Sequence, residues 1–264
     1  MNISESLYEN LSLTKQEREI YINTIKTNED LLVRNGPKID PHLVNGVDRR
    51  RTFSIFGYYA EEFPVGGSLE FEKSLPDLFP GHIYYTADRK SASKSALLHW
   101  TFMQLNGFTE DLVVSESDME KYVNICSKHL FSFNSSITVD FFGFIATPAN
   151  IVWVAQSAAP INKVREDIRQ DVMKAGLLLK EPYKANIIHS CAVRFLTSFD
   201  VESVLDQCRR FRSDLKGSYT FDKLYLDYGS ALMRPQEIIH VAEFDLINKA
   251  VKLFHADKKF RKIS

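Results

Sequence analysis

The sequence predicts an α+β protein, and three observations carry that prediction. Short strand-like runs near residues 52–59, 82–86, 96–103 and 185–196 are interleaved with stretches of 3.6-residue apolar spacing. A turn sequence, Thr147-Pro-Ala-Asn150, joins two strands directly, as an antiparallel hairpin requires and a doubly wound parallel sheet does not. Hydrophobic residues make up 44% and charged residues 25% of 264, enough apolar material for one large or two small domains.

Taken in order, Thr14-Lys-Gln-Glu17 has the form of a capping box, with Thr14 the N-cap of a helix running towards residue 33. Ile20, Ile25, Leu31 and Leu32 supply a partial apolar stripe, and Asn35-Gly-Pro37 ends it. Packing across the back of a sheet is the expected role of this N-terminal helical extension (1–50); a partner-binding arm is the alternative. Arg49-Arg50-Arg51 is expected to be a solvated strand entry rather than a nucleic-acid contact. Residues 52–59 form the first core strand, broken by Pro64-Val-Gly-Gly67. A helix is expected over 69–78, ended by Pro80-Gly81, followed by a strand at 82–86 and a polar loop over 88–95.

Ser117 is placed as the cap of a helix reaching Leu130, with Met119, Tyr122, Val123, Cys126 and Leu130 inward. Pro160 starts another, in which Ile161, Val164, Ile168 and Val172 recur at helical spacing up to Gly176. Asp200 caps a third, with Val201, Val204, Leu205, Cys208 and Phe211 inward. Strands at 221–228 and 237–246 follow, joined through Pro235. A basic tail over 251–264, richest at 258–262, closes the chain.

Two of the strands carry the chemistry. Residues 185–196 are apolar except for His189-Ser190-Cys191, and side chains alternate across a strand. His189 and Cys191 therefore share one face, and Ile188, Ser190 and Ala192 the other. Upstream, Ala96-Leu-Leu-His-Trp-Thr-Phe-Met103 sets His99 and Thr101 on one face against Leu98, Trp100 and Phe102 on the other. The separation of the histidines, 189 − 99 = 90 residues, suits the two halves of a duplicated domain.

This pair of His-x-(Thr or Cys) motifs resembles the two-histidine (2H) phosphoesterase superfamily, the group that includes the LigT-like and cyclic phosphodiesterase-like proteins, whose members carry His-x-Thr/Ser twice. The element order before the second motif is similar as well: Val139-Asp-Phe-Phe-Gly-Phe144, Asn150-Ile-Val-Trp-Val-Ala155, an amphipathic helix, Gly176, then the histidine strand. The resemblance covers roughly 51–246 within a domain drawn over 51–250, and it departs from the family at Cys191. It implies a bilobal fold, two antiparallel sheets with flanking helices around a central cleft. It also implies a metal-independent phosphodiesterase acting on 2′,3′-cyclic phosphates, 2′–5′ linkages or related small nucleotides and RNA ends. His99 and His189 would share acid and base duties without a cofactor, because an unperturbed imidazole pKa of ~6.5 suits both. Thr101 would hold the phosphate and Cys191 would occupy the second such place, where a thiol is a weak donor. His-x-Cys-x-x-Arg, ending at Arg194, is similar to a His-x-Thr-x-x-Arg form in part of the family. Five positions from His189, Arg194 is expected on the opposite face unless a bulge turns it.

Other chemistries fit the sequence less well. Cys126-x-x-His129 with His189-x-Cys191 offers four soft donors to zinc, but Cys126 belongs to an apolar helix face. Cys191 beside His189 lacks a third member for thiol protease chemistry. Walker-type and dinucleotide-type glycine-rich loops are absent. His42, His82, His129, His240 and His255 are expected to be structural or exposed. Tyr84, Tyr85 and Tyr183 are candidates for stacking on a base, and Lys184 for a phosphate contact. A degenerate protein of the same fold that binds a nucleotide or RNA end without turnover is the alternative function, and Cys191 favours it.

A formal net charge of −1 argues against coating long duplex nucleic acid. Cys126, Cys191 and Cys208 are too few and scattered for a disulfide framework. The Met1-Asn-Ile-Ser start lacks the pattern of a secretory signal, and no apolar run approaches the ~20 residues that span a bilayer. An intracellular monomer, cytoplasmic or nuclear, with a small nucleotide or RNA 3′-end as partner and no membrane contact, is the expectation.

Overall fold

A computed structural model describes residues 13–44, 48–60, 77, 80–86, 96–110, 112–211, 217–230 and 232–254. The expected helix over 69–78 apart from residue 77, the break at 64–67, the 88–95 loop, His255 and the 258–262 tail lie outside the described residues. The fold is α+β. Among the described residues eleven strands form one predominantly antiparallel sheet: β1 (Arg51–Tyr58), β2 (Ile83–Thr86), β3 (Ala96–Leu97), β4 (His99–Thr109), β5 (Ile137–Ala146), β6 (Asn150–Gln156), β7 (Ile188–Arg194), β8 (Gly217–Phe221), β9 (Lys223–Gly229), β10 (Ile239–Asp245) and β11 (Ala250–Leu253). Their spatial order is β11-β10-β9-β1-β4-β7-β6-β5-β8, with β2 beside β7 and paired to β3 off this path. The described helices are α1 (Lys15–Asn35), α2 (Pro41–Val44), α3 (Glu116–Leu130), α4 (Ile161–Lys174) and α5 (Val201–Phe211).

The two lobes expected as separate sheets share this one sheet. β4 and β7 meet at a single residue pair, Trp100 opposite Ser190, and part on either side of it. On one side β2 enters the fork, with Ile83 opposite Arg194 and Tyr84 opposite Val193. On the other side Arg165 of α4 fills it, with Nε donating to Phe102 O at 2.7 Å and Nη1 to Ile187 O at 3.2 Å. The joint is thus wedged open while the ladder stays continuous.

Helical periodicity located the helices well. The inward set of α3 is buried as expected, although Ser115 rather than Ser117 is the cap, its side chain accepting from Asp118 N. The boundary lies two residues earlier because the Ser115 hydroxyl reaches the N3 amide that this helix leaves free. Ile161, Val164, Ile168 and Val172 are buried in α4, and Val204, Leu205 and Cys208 in α5. The Thr147–Asn150 turn closes through the Thr147 hydroxyl, which accepts from Ala149 N and Asn150 N and donates to Asn150 Oδ1. Arg50 pairs with Asp40 and Asp48 at 2.7 and 2.8 Å, so the arginine triplet begins a strand through ion pairs of its own. The domain edge drawn at 250 falls inside β11, which pairs with β10 and continues the sheet.

The position of α1 differs from expectation. Its capping box is complete, with Thr14 and Glu17 each bonded to the other's backbone amide, and Gly36 ends it at φ 67°. Tyr21 and Ile25 cluster with Phe142, Ile145, Val152 and Val154. Val154 lies opposite His189 and Val152 opposite Cys191, and directly paired residues share a face. The helix therefore covers the motif-bearing face of β5 and β6, not the back. Its anchor is Tyr21, whose buried hydroxyl donates to Ala155 O and accepts from Ile188 N. Each such bond stabilises by ~1 kcal/mol. The burial of this stripe makes the N-terminal helix part of the folded unit.

Candidate active site

Antiparallel pairing about Trp100 and Ser190 sets the two motifs head to tail. Continuing that register by one residue places His99 across from Cys191 and Thr101 across from His189, all on one face. Trp100 and Ser190 point to the other face, where Ser190 Oγ lies 2.7 Å from the Tyr59 hydroxyl.

Each motif strand then carries a bulge at the same offset. In β4, Met103 faces Ile55 but Thr101 faces Phe56, so Phe102 is extra. In β7, Val193 faces Ile151 but Cys191 faces Val152, so Ala192 is extra. An inserted residue reverses side-chain parity beyond it. Gln104 consequently joins His99 and Thr101 on one face, and Arg194 joins His189 and Cys191. The residues at offsets 0, +2 and +5 match: His99, Thr101 and Gln104 on one strand, His189, Cys191 and Arg194 on the other. Simple alternation placed Arg194 on the opposite face; the bulge decides otherwise. Gln104 was missed, and its signal is the +5 spacing itself.

His99 is 9% exposed, enclosed by Phe56 and Tyr85, whose rings approach its own at 5.1 and 5.9 Å. Its Nδ1 lies 2.7 Å from Leu97 O, and a carbonyl can only accept, so Nδ1 carries the proton and Nε2 a lone pair. Burial lowers its pKa to about 4, with the Arg194 charge adding and the Leu97 bond opposing. His189 is half-buried, its Nε2 lying 3.4 Å from the Tyr183 hydroxyl. Burial also lowers its pKa to about 4, followed by the charges of Arg165 and then His99. Both imidazoles are therefore neutral at pH 7 in the free protein, and each lies within the other's electrostatic reach.

Arg194 Nε lies 3.4 Å from the Tyr85 hydroxyl, which links it to the ring beside His99. Burial works against its charge, but Tyr85, Cys191 and Asp40 favour it, so its pKa stays above the ordinary arginine range. Cys191 Sγ donates to Val193 O at 3.5 Å, and burial raises its pKa despite Arg194, so it is a protonated thiol whose hydrogen turns back to its own strand. Among the described residues the Thr101 hydroxyl has no such internal bond.

Tyr183 is held over the site by a strap. Gly107 N donates to Lys180 O and Lys180 N to Leu105 O, both at 2.8 Å. Pro182 presses against Gly107 so closely that a Cβ there would come within 2.9 Å of Pro182 Cδ. Tyr183 is exposed and its ring stands 6.4 Å from that of His189, whereas Tyr85 is buried. Tyr84 is partly buried against the core, and Lys184 pairs with Glu166 at 2.9 Å.

The remaining polar candidates have other partners. His82 Nδ1 accepts from Leu196 N, His129 meets Asp171 and His240 meets buried Asp227, the last two at 2.8 Å; His42 lies 3.9 Å from Glu110. Cys126 is buried within α3, and among the described residues no three His, Cys, Asp or Glu side chains form a metal-binding group. No described helix is long and apolar enough to cross a membrane.

No family model matches the chain, and no curated protein matches it. Among solved structures it is similar to the TT0787 protein of Thermus thermophilus, with 13% identity, a TM-score of 0.49 and coverage of 75% of this chain and 97% of the other. It is also similar to a phosphoesterase, at 12% identity and TM-score 0.41 over 75% and 99% of the two chains. A third is Usb1 of Kluyveromyces marxianus with uridine monophosphate, at 11% identity and TM-score 0.34 over 73% and 98%. By its two motif strands the chain resembles the two-histidine phosphoesterases, and the solved structures it is similar to include a phosphoesterase.

Proposed function

We propose that the chain is a metal-independent phosphodiesterase of the two-histidine type. Its substrate would be a small nucleotide or RNA end carrying a 2′,3′-cyclic phosphate or a 2′–5′ linkage. The observation that supports it most is the head-to-tail register of the two motifs about Trp100 and Ser190. One phosphate centred on that pair meets a histidine from each strand. His99 Nε2, unprotonated because Nδ1 is bonded to Leu97 O, takes a proton from the attacking water. As the new P–O bond forms, the P–O bond to the ribose oxygen breaks, and that oxygen receives a proton from His189, which acts in its imidazolium form once the phosphate anion is bound beside it. Negative charge on the non-bridging oxygens is met by the Thr101 hydroxyl and the Arg194 guanidinium, with the Gln104 amide opposite. Cys191 fills a place there without donating.

The second reading, binding without turnover, is favoured by the Cys191 hydrogen bond to Val193 O, which removes one phosphate donor. A screen of purified protein against 2′,3′-cyclic nucleotides, 2′–5′ oligoadenylate, cyclic dinucleotides and 3′-end RNA separates the two. Turnover of at least one is expected. Saturable binding of the same ligand with no product would replace the enzymatic reading by the second.

A further inference from the structure

The chain leading into His189 is held by side chains from two helices. Ala185 O accepts from Arg169 Nη2 at 3.4 Å, and Asn186 O from Asn162 Nδ2 at 3.1 Å. Ile187 O accepts from Nη1 of the fully buried Arg165 at 3.2 Å, and Ile188 N donates to the Tyr21 hydroxyl at 3.0 Å. The last two bonds grip one peptide unit, the carbonyl of Ile187 and the amide of Ile188, from its opposite ends. On one side the guanidinium also takes Phe102 O of β4 at 2.7 Å. On the other the Tyr21 hydroxyl also donates to Ala155 O of β6, and Ala155 is the register partner of Ile188. That peptide stands one residue ahead of His189. The imidazole itself has little else to orient it: Nδ1 of His99 is bonded to Leu97 O, whereas Nδ1 of His189 has no partner among the described residues.

We infer that Tyr21 is a positioning residue for His189. A peptide unit is planar, so bonds at both its ends fix its rotation and with it the direction in which the next side chain leaves the strand. Arg165 supplies the bond at the β4 end and Tyr21 the bond at the β6 end. Without the hydroxyl, Ile188 N and Ala155 O can pair directly, as register partners in a ladder do, which draws the start of β7 towards β6 and away from Thr101 and His99. The N-terminal helix thereby contributes to the site through a single atom. This role rests on the proposed function, in which His189 must face the same phosphate as His99.

Tyr21→Phe keeps the ring in its cluster and removes only the hydroxyl. It should lower kcat by roughly 10²-fold, the scale of a 1 Å misplacement, with little change in KM, because Thr101 and Arg194 still hold the phosphate. Ile25→Val, in the same cluster of α1, is the control for stability: it should lower Tm by a similar margin and leave turnover native. In a His189→Ala background Tyr21→Phe should cost nothing further, since it acts through that imidazole. Native kcat in Tyr21→Phe, or its full cost retained without His189, overturns the inference. Two NMR readouts do not depend on turnover. In the native chain the buried Tyr21 hydroxyl proton should show an NOE to the Ile188 amide; a through-hydrogen-bond coupling from Ile188 N straight to the Ala155 carbonyl carbon would overturn the inference without any variant. The ring resonances of His189 should move in Tyr21→Phe and hold in Ile25→Val, and unmoved resonances in Tyr21→Phe overturn it as well. The expected shifts in a chain that turns over none of the substrates would refute the enzymatic reading and leave the role of Tyr21 standing.

Discussion

Trp100 of β4 stands opposite Ser190 of β7, the one pair joining these two strands among the described residues. Around it the histidines and their +2 partners take positions related by a local two-fold. Each strand depends on the other for half of any phosphate site.

If both imidazoles act on one phosphate, His99→Ala and His189→Ala should each lower turnover by roughly 10²-fold or more, the usual scale for general acid–base groups. Both free-protein pKa values are depressed to about 4. The bell of kcat/KM should therefore centre below the ordinary histidine value of ~6.5. Activity should survive EDTA; loss in chelator with recovery on zinc would point to metal chemistry instead.

Thr101→Val should be far more harmful than Cys191→Thr. Valine keeps the shape and removes a hydroxyl donor, whereas threonine at 191 supplies one where the thiol hydrogen turns to Val193 O. Turnover of both variants, with Tm recorded alongside, is the check. Normal activity in Thr101→Val would remove Thr101 from the phosphate site.

Arg194→Gln tests whether the bulge at Ala192 serves the chemistry. Removal of a cation from the phosphate site should lower kcat/KM by roughly 10²-fold with little change in Tm, because its bond to Tyr85 is long at 3.4 Å. A variant with wild-type kinetics would return Arg194 to a packing role.

Stability should fall with acidification through the histidines. Both have folded pKa values below the unfolded value of ~6.5, so the stability present above that pH is lost as pH falls towards about 4. His99→Gln should show a shallower decline of Tm between those limits than the native chain. An identical slope would mean that His99 is not the neutral buried group described here.

Periodicity and local turn chemistry made much of this protein legible from its sequence. The inward faces of α3 and α5, the capping box at Thr14 and Glu17, the Thr147–Asn150 turn and the placing of both His-x-polar motifs on strands all depend on neighbours within a few residues. Tertiary structure decided the rest. Whether α1 covered the front or the back of the sheet depended on Val152 and Val154, over a hundred residues away, which share their face with Cys191 and His189. Arg194 and Gln104 turn towards the motifs because Ala192 and Phe102 are extra residues relative to β6 and β1. A bulge is a mismatch between two strands, so neither sequence run contains it alone. Arg165 was hidden for a related reason: a buried cation becomes tolerable only where two strands part and leave carbonyls free to accept from it.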